Sequence, residues 1–594
     1  MPTTQLPLMK GLGKNYASAD YLDLLPVNML ATPKQVLDSN GYMRSFPGLS
    51  NKVQVGGASR GVLYNTLNNF VYRVLGGFLY RGATSIATVP GSGRTSMAYS
   101  SNSHAVAAAG KMQLYRYDGV IKALDNWPDK IVTTPESDKI VRTWVSTSGD
   151  ANANLFDVDQ DNAVGSFVIT LTPRLSNGLN GDDLVINENQ WNRAVSQDAS
   201  QTKPYLTNVT VTGRSSVVST VTISYVMNSP AGSTATNQTR ITVVQHMEEV
   251  STQFSQYEIG SVKDICRLRG RYIWVKDGTD TFGVTDVEDE SHPDRYRPFY
   301  RAESQPDGIQ GCAVWRDFAV MFGTSTIEYF SLTGASDSSS AIYVAQPSLM
   351  VSKGIAGTHC KAEFSDNYAF ISHPSTGAPS IYVINSGQLI TIATSSIEKI
   401  LRSYTEDELS TSVMESVRFD SHELLIVHLP NHVLCYDASA SQNNNMQWSV
   451  LKSGLGNDVH RAIDYAYSNN SITVGDKAES ITGSLNFDLS SQYEAPSEHI
   501  LYTPLFKADN ARVFDFELES SSGVSQRAER LFISATADGI NYGREQMLSS
   551  NEPFSYDRRV LWRRIGRIRK NIGFKVRVVT KSPVTLSGCS VRVE

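Results

Sequence analysis

The chain has 594 residues, of which 40% are hydrophobic and 19% are charged, and its mean hydropathy is −0.24. This composition is typical of a soluble globular protein with room for several cores, and it excludes a disordered chain. The formal net charge of −6 excludes a protein that binds nucleic acid over its whole surface, so any contact with DNA has to be local.

The cysteines indicate neither a disulfide framework nor a zinc site, because they are odd in number, far apart and without a CxxC pair. We therefore predict reduced, mostly buried thiols. The N-terminal stretch MPTTQLPLMKGLGK lacks the apolar segment of a secretory signal, and no run of about 18 apolar residues occurs. We expect a protein that is made and kept in the cytosol, or that leaves it without a signal. The five cysteines are Cys266, Cys312, Cys360, Cys435 and Cys589.

From residue 69 onward the chain repeats a two-strand pattern, in which a polar turn precedes an apolar run, a Gly-rich or polar turn and a second apolar run. The third copy is the clearest, because Asp277-Gly278 joins two β-rich runs and this dipeptide is a strong hairpin signal. Repetition at about 20 to 50 residues is typical of propellers and solenoids. We predict that each copy supplies inner strands of a four-stranded blade; unrelated hairpins in β-sandwiches are the alternative. The seven copies span 69–82, 104–119, 271–285, 317–332, 367–384, 422–439 and 470–487.

Residues 129–253 interrupt this repeat and are rich in Ser, Thr, Val and Asn. The spacing of their alternating runs is that of an Ig-like β-sandwich of about 100 residues. We predict a domain inserted into a blade loop, since loop-closure entropy grows slowly with loop length. The runs lie at 166–171, 207–212, 217–226 and 238–244.

A partial calcium-loop pattern occurs within this insert. Asp157, Asp159 and Asp161 have the opening spacing of such a loop. The glycine at its sixth position is replaced by Asn162, and the bidentate glutamate at its twelfth position is replaced by Val168. Only half of the defining pattern is present, so calcium binding by these aspartates stays open.

A long connector follows the third hairpin copy at 286–307 and is too rich in Asp, Glu, Pro and Arg for a buried strand. Its carboxylates are the candidates for the acid pair that a glycosidase requires. Adjacent acids alternate in direction, however, so we interpret them as part of a solvated connector. The four candidates are Asp286, Glu288, Asp289 and Glu290.

Other motifs for catalysis or metal binding are absent from the sequence. It contains no GxSxG, HExxH, Walker or GxGxxG motif in a strand-to-helix context, and the ten histidines do not fall at metal-ligand spacing. His422 and His428 flank one predicted strand and His432 lies in its turn, where a structural function is favoured over a catalytic one. We therefore predict no enzyme, no cofactor and no metal.

One helix is predicted, at 395–409, because apolar side chains recur there at helical spacing. We expect this helix to cap or link two blades.

The region after residue 491 has longer alternating runs, which predict a separate C-terminal β-sandwich. Between two of these runs, residues 536–542 (TADGINY) are close to the Asp-box turn of sialidase-type propellers, with Tyr542 in place of Trp. A turn between strands needs no catalytic function, so we interpret this stretch as structural. The runs lie at 513–518, 531–535, 575–579 and 590–593.

The strongest charge feature is a basic cluster at 558–577, which contains nine Arg or Lys residues and no acid. In an acidic chain, such a cluster is a local positive patch that suits phosphates or an acidic protein surface. The alternative is a solvated strand face, because Lys575 and Arg577 alternate with valines. As candidates for contact with a partner or DNA we name Arg558, Arg559, Arg563, Arg564, Arg567, Arg569 and Lys570.

These elements together predict an all-β fold, a β-propeller of six to seven blades with an inserted β-sandwich-like domain and a C-terminal β-sandwich. The N-terminal segment and the first blades occupy 1–128, and the insert occupies 129–253. The remaining blades occupy 254–490, and the sandwich occupies 491–594.

Long stretches of the sequence resemble the tail hub proteins of short-tailed Salmonella-type bacteriophages, also called packaged DNA stabilisation proteins or tail accessory factors. They include KGLGKNYASADYLDLLPVNMLATPKQVL, QPSLMVSKGIAGTHCK and FISHPSTGAPSIYVI. The resemblance covers nearly the whole chain except 129–253, so the function of the insert does not follow from it. The similar stretches are 10–37, 288–296, 300–309, 325–335, 346–361, 370–384, 419–430, 505–512 and 535–547.

The resemblance implies a structural virion protein that is assembled in the host cytoplasm. It implies a homohexameric hub that extends the DNA channel below the portal and adaptor rings, anchors tailspikes and holds the tail needle. Double-stranded DNA passes through such a hub, and no membrane insertion is implied. Two alternatives remain at this point: a propeller glycosidase, supported by the connector carboxylates and the Asp-box-like turn, and a lectin-like module for a surface polysaccharide, supported by tyrosines.

Overall fold

The structure is a computed structural model that describes residues 3–6, 8, 24–34, 41–101 and 103–118, individual strands between 120 and 246, and most of 260–594. Within this last range it does not describe 286, 288–298, 303, 306, 335–340, 386–387, 443–444, 508, 523–528 and 551–558. The chain forms two compact units. The first comprises Met1–Ala123 and Ile259–Glu594, and the second comprises Leu124–Glu258.

The first unit begins with four short strands and continues into two four-stranded sheets, which we name blades 1 and 2. The N-terminal strands are β1 (Thr3–Leu6), β2 (Met29–Thr32), β3 (Tyr42–Ser45) and β4 (Gly48–Gln54). Blade 1 consists of β5 (Ser59–Asn65), β6 (Phe70–Leu75), β7 (Phe78–Arg81) and β8 (Thr84–Thr88). Blade 2 consists of β9 (Ser96–Tyr99), β10 (Ser103–Ala108), β11 (Lys111–Asp118) and β12 (Val120–Lys122).

The second unit contains two three-stranded antiparallel sheets among its described strands. One sheet has the order β13-β18-β15, with β13 (Lys139–Ser146), β15 (Leu184–Ile186) and β18 (Thr239–His246). The other has the order β14-β17-β16, with β14 (Val164–Leu171), β16 (Pro204–Arg214) and β17 (Ser219–Met227). Four of these strands overlap the four alternating runs of the sequence, with starts that differ by a few residues. Asp157, Asp159 and Asp161 lie outside the described residues.

Five further four-stranded sheets follow in the first unit. Blade 3 is β19 (Val262–Leu268), β20 (Arg271–Lys276), β21 (Thr281–Val284) and β22 (Tyr300–Arg301), and blade 4 is β23 (Ile309–Trp315), β24 (Phe318–Gly323), β25 (Ile327–Leu332) and β26 (Tyr343–Ala345). Blade 5 is β27 (Lys361–Phe364), β28 (Asn367–Ile371), β29 (Ile381–Asn385) and β30 (Gln388–Thr391), and blade 6 is β31 (Val413–Phe419), β32 (His422–His428), β33 (Val433–Gln442) and β34 (Asn445–Leu451). Blade 7 is β35 (Ala462–Ser468), β36 (Ser471–Asp476), β37 (Ile481–Asn486) and the N-terminal β4.

Each of the seven predicted hairpins supplies the second and third strands of one blade. The turns between the first and second strands of the blades also have backbone angles suited to joining antiparallel strands. In blade 6, Asp420 and Ser421 adopt φ of 44° and 66°, and in blade 7, Asn469 and Asn470 adopt φ of 49° and 59°. Positive φ at both central residues gives the turn whose twist matches that of the flanking strands, and Asn and Asp tolerate it best. The all-β propeller predicted from the repeats is confirmed.

The last blade is completed by a strand from the other end of the chain. Strand β4 pairs antiparallel with β37, with Gly48 opposite Asn486 and Gln54 opposite Ile481. The pairing removes the exposed edge that an incomplete last blade would leave. It also fixes the first blade beside the last one, so the ring is closed by hydrogen bonds between residues more than 400 positions apart.

Close packing within and between blades excludes water from the apolar cores of the propeller. In blade 3, Trp274 is fully buried, and Gly283 lies directly against its ring. A Cβ atom at Gly283 would lie 2.3 Å from Cζ2 of Trp274, so only glycine allows this approach. Phe282 from the same strand packs edge-on against Phe330 of blade 4, with ring centroids 5.0 Å apart. Such aromatic pairs add about 0.5–1.5 kcal/mol beyond the area they bury.

The single helix predicted at 395–409 is wrong in its extent, because two short helices occupy this segment. They are α1 (Ser395–Arg402) and α2 (Glu406–Ser410), and they connect blade 5 to blade 6 as predicted. Thr405 starts α2 with a capping box, in which its hydroxyl accepts from the Glu408 amide while the Glu408 carboxylate accepts from the Thr405 amide. This cap is a start signal inside the predicted helix. Two 3₁₀ turns lie at Pro347–Leu349 and Pro374–Thr376.

The C-terminal region forms the predicted β-sandwich of two antiparallel sheets. The order in one sheet is β2-β3-β45-β40-β43, with β1 also paired to β45; in the other it is β38-β44-β41-β42, with β39 also paired to β44. Phe516, Trp562 and Phe574 pack in the core between them. The strands are β38 (Ser497–Tyr502), β39 (Phe506–Lys507), β40 (Arg512–Ser522), β41 (Glu529–Thr536), β42 (Gln546–Ser550), β43 (Val560–Arg567), β44 (Asn571–Thr580) and β45 (Val584–Val593).

The sandwich includes strands from the N-terminus, which sequence analysis assigned to the segment of the first blades. Beyond the pairing of β1–β3, the segment around Asn28 joins the sandwich to the propeller. The Asn28 side chain donates to the carbonyl of Lys452 after blade 6 at 3.2 Å, and to the carbonyl of Glu498 in the sandwich at 2.9 Å. Its own carbonyl accepts from buried His499 at 2.9 Å. The N-terminal segment therefore bridges the two parts of this unit. The strand patterns of β1 to β3 are too short to be assigned to a sheet from sequence.

Candidate functional site

The innermost strands of the seven blades enclose a cavity of about 920 Å³ at the centre of the propeller. Every first strand contributes to its lining, from β5 in blade 1 to β35 in blade 7. Ionisable side chains cluster where these strands begin. They include Arg94, Asp264, Lys361, Glu415 and Asp464.

Asp464 is the centre of the first charge cluster. It is buried at φ 61°, and its carboxylate binds Arg94 through two hydrogen bonds of 2.5 and 2.9 Å. The buried Arg73 donates to the Asp464 carbonyl at 2.8 Å. Burial alone would raise the pKa of Asp464, but the charge and hydrogen bonds of Arg94, with the charge of Arg73, lower it to about 2. These contacts join blade 7 to blade 1 and to the segment before blade 2.

Glu415 of blade 6 extends this cluster. Its carboxylate accepts from the backbone amides of Asp464 at 3.2 Å and Tyr465 at 2.8 Å, and it is hydrogen-bonded to Nε2 of buried His428. Burial and the neighbouring charge of Asp464 raise the pKa of Glu415 to about 7. Burial also holds the pKa of His428 well below its ordinary value. One carboxylate thus fixes the edge of blade 6 to the first strand of blade 7.

A second cluster joins blades 3, 4 and 5. Asp264 accepts from Nζ of Lys361 at 2.7 Å and from the Cys312 amide at 2.9 Å. Lys361 also donates to the carbonyl of Thr358 at 2.7 Å. Both clusters pair their charges inside the protein and bind across blade boundaries, which is an arrangement for holding blades in place. Sequence reasoning missed both of them, because a single charged residue in or just before a first strand gives no motif.

The basic cluster of the sandwich is divided by the structure into two parts. Lys575 and Arg577 are half-buried and pair with Glu545 at 3.0 and 2.5 Å, while the exposed Arg559 pairs with Glu517. The remaining cations are exposed, and none forms an ion pair with another described residue. We call these five the basic patch; it consists of Arg563, Arg564, Arg567, Arg569 and Lys570. Arg558 lies outside the described residues.

A break in strand alternation produces the basic patch. The register of β43 shifts between Asp515 and Val513 of its partner strand, and Arg564 adopts φ 61° at this irregularity. An extra residue in one strand turns successive side chains to the same side. Arg563 and Arg564 are therefore both exposed, whereas Trp562 and Ile568 on either side remain buried.

The three histidines singled out from sequence have structural partners. His422 is buried against Asp437 at 2.6 Å, His428 binds Glu415, and His432 is hydrogen-bonded to the Tyr404 hydroxyl at 2.5 Å. They belong to separate pairs. Among the residues that the structure describes, no group of three or more His, Cys, Asp or Glu side chains could hold a metal ion.

The Asp-box-like turn is a compact hydrogen-bonded loop. The Asp538 carboxylate accepts from the amides of Ile540 and Asn541 at 2.9 and 2.8 Å and from the Thr536 hydroxyl at 2.9 Å. These hydrogen bonds lower the pKa of Asp538 and account for the aspartate in the motif. The connector carboxylates Asp286, Glu288, Asp289 and Glu290 lie outside the described residues.

Two family models match the chain. The bacteriophage P22 Gp10 β-propeller matches residues 4–150 and 180–490, and the bacteriophage P22 Gp10 β-sandwich matches residues 498–594. Both architectures agree with the sheets described above. In the described part of the chain, no helix is long and apolar enough to cross a membrane.

A curated relative is similar over its whole length. The tail hub protein gp10 of Salmonella phage P22 is 52% identical over 594 residues, which is 100% of both chains. The expectation that the resemblance excludes 129–253 is wrong, because the similarity extends through that segment. The predicted function as a structural tail hub of a phage virion, and not an enzyme, is confirmed by this similarity.

Solved structures add little. The β-propeller domain of Cps50 (Swd1) from Myceliophteria thermophila is 10% identical with a TM-score of 0.27, and covers 65% of this chain and 96% of that one. The extracellular domain of a hybrid two-component system from B. thetaiotaomicron is 11% identical with a TM-score of 0.23, and covers 87% and 80%. Scores this low carry no argument about function. The family models and the full-length relative are sufficient: the chain belongs to the bacteriophage P22 Gp10 family of tail hub proteins.

Proposed function

We propose that six copies of this protein form a ring at the centre of a short phage tail, through which double-stranded DNA passes. The ring binds the portal or adaptor ring on one side and carries the tail needle and tailspikes. The observation that carries this proposal is the full-length similarity to a tail hub protein. The paired charges of the propeller also suit a rigid building block, because they join blades and leave no unpaired catalytic set among the described residues.

The basic patch is the docking surface for a neighbouring ring in this proposal. Its five cations are exposed on strand β43 and the bend that follows it, in a chain whose net charge is −6. An acidic surface on another tail protein is complementary to it, and such complementarity fixes register and accelerates association. DNA phosphates are the other anions it fits, and their binding would depend steeply on salt.

Reversal of the patch should prevent docking. Changing Arg563, Arg564, Arg567 and Arg569 to Glu replaces attraction by repulsion at a contact that loses part of its water, so we expect affinity for the neighbouring ring to fall at least tenfold. The measurement is sedimentation or light scattering of purified hub with the purified adaptor ring at several salt concentrations. The isolated variant should melt as the wild type does, because these side chains are exposed.

A second variant controls for the change in net charge. Four other exposed cations of the sandwich can be changed to Glu without altering the patch; they are Lys507, Arg530, Arg544 and Lys581. Docking should survive in this control. Equal binding by both variants and the wild type across the salt range would contradict the proposed docking surface.

A further inference from the structure

Two cysteines lie side by side on the innermost strands of blades 3 and 4. Cys266 is in β19 and Cys312 is in β23; both are buried, and both belong to the apolar core that these blades share. The strands approach closely, because Asp264 of β19 accepts a hydrogen bond from the Cys312 amide at 2.9 Å. A Cβ atom added at Gly311 would lie only 2.8 Å from the same carboxylate.

The two thiols also act on each other. After burial, the next causes that raise the pKa of Cys312 are a hydrogen bond and the charge of the Cys266 thiol. Both cysteines line the central cavity of about 920 Å³. A small reagent that enters this cavity therefore reaches the strands that carry both cysteines.

The other three cysteines are placed differently. Cys360 donates to the carbonyls of Leu409 and Ser412 at 3.2 and 3.4 Å, and Cys589 donates to the carbonyl of Leu6 at 3.6 Å. Cys435 is buried within blade 6. None of the three lines the central cavity. Each occupies a separate site in the described structure, so the pair in blades 3 and 4 is the one arranged for reaction.

We propose that Cys266 and Cys312 are a redox site, which is a dithiol during assembly and forms a disulfide between blades 3 and 4 once the protein is in an oxidising medium. The oxidant is a small-molecule disulfide such as oxidised glutathione. The thiolate of one cysteine attacks this disulfide and releases one small thiol. The second cysteine then attacks the mixed disulfide and releases the other, so two protein thiols are oxidised and one small disulfide is reduced to two thiols.

The surroundings of Cys312 make this exchange slow. Burial, the Cys266 thiol and the charge of Asp264 raise the pKa of Cys312 well above its ordinary value, and the ammonium of Lys361, held 2.7 Å from the Asp264 carboxylate, opposes this shift only in part. The thiolate is the attacking species, so oxidation requires prolonged exposure to the oxidant. A cross-link between these positions would join strands that are held only by side-chain contacts, because the first strands of neighbouring blades share no sheet. It would also restrict the unfolded chain between 266 and 312.

The test uses the purified full-length protein. It is reduced with dithiothreitol, transferred into oxidised glutathione without denaturant, then unfolded and alkylated for intact mass and peptide mapping. We expect the reagent to alkylate three of the five cysteines. The disulfide should lower the intact mass by about 2 Da. Peptide mapping should find the peptides that contain Cys266 and Cys312 joined to each other. The oxidised protein should melt a few degrees higher than the reduced protein.

Variants make the assignment specific. Cys266→Ser and Cys312→Ser should each abolish the cross-link and leave a mixed disulfide with glutathione on the remaining partner, whereas Cys360→Ser should keep the cross-link. Wild-type peptide mapping decides the proposal even where a serine variant folds poorly. Five alkylated cysteines after prolonged exposure of folded protein, or a cross-link between any other pair, would overturn it.

Discussion

Replacing Asp464 by asparagine is expected to destabilise the propeller by about 3–5 kcal/mol, which is the typical cost of removing one partner from a buried ion pair. The Asp464 carboxylate forms an ion pair with Arg94, and the guanidinium of Arg73 donates a hydrogen bond to the Asp464 backbone carbonyl. Asparagine keeps the shape of the side chain and tolerates the φ of 61°. The measured change in stability therefore reports the loss of charge and not backbone strain. Arg94 and Arg73 then remain largely buried with less compensation for their charge.

The measurement is denaturant unfolding followed by the fluorescence of the buried propeller residues Trp274 and Trp448. Asp420→Asn is the matched control, because Asp420 also has positive φ and also pairs with an arginine, Arg44, at 2.9 Å. That pair is on the surface, with 47% of the Asp420 side chain exposed, so its loss should change stability by less than about 1 kcal/mol. Equal shifts for both variants would show that the Asp464 cluster does not hold the blades together.

The second large effect is a pH dependence that belongs to Glu415. Its pKa of about 7 in the folded protein is above the ordinary value of 4.5, so between these values the folded chain binds a proton that the unfolded chain has released. The contribution of Glu415 protonation to folding stability is therefore complete below about pH 4.5 and is lost as pH rises through about 7. It amounts to about 3 kcal/mol, since one pKa unit corresponds to about 1.4 kcal/mol. Asp464 acts in the opposite direction, but only at pH below about 4, because its pKa is lowered to about 2.

Glu415→Gln should remove this slope. The amide oxygen can still accept from the amides of Asp464 and Tyr465, but it does not ionise. We expect wild-type stability to fall between pH 5 and pH 8, and the variant to fall less over the same range. Thermal melting at matched protein concentration measures both, and Glu479→Gln, which alters an exposed pair with Arg461, is the control. The hypothesis fails if wild type and Glu415→Gln keep parallel pH profiles.

The sequence predicted the second and third strands of each blade because they are apolar, β-rich and joined by turns with recognisable chemistry. The first strands were not predicted, since several contain a charged residue at their third position, such as Asp264, Glu415 and Asp464, which interrupts the alternation. Closure of blade 7 by Gly48–Gln54 depends on pairing with Ile481–Asn486, and local patterns contain no information about partners so distant. For the same reason, the membership of β1–β3 in the sandwich required the structure.

The basic cluster shows the same limit for a candidate site. Its charge was visible from composition, but the sequence could not separate Arg563 from Arg577, which differ only in their surroundings. Arg563 is exposed beside a register shift, and Arg577 is held by Glu545 from the loop before β42. Ion pairs with acids elsewhere in the fold decide which cations are available to a partner.

Genome retention tests the central claim most directly. A filled capsid holds DNA under pressure above an open portal, and in the proposed position below that portal the hub would support the closure. Particles assembled without this protein should package DNA and then lose it, and electron microscopy after storage should show empty heads with portals attached. Supplying the purified protein before storage should restore full heads. Particles that lack the protein yet keep full heads for days, and fail only to infect, would contradict the proposed position of the hub between the portal and the tail needle.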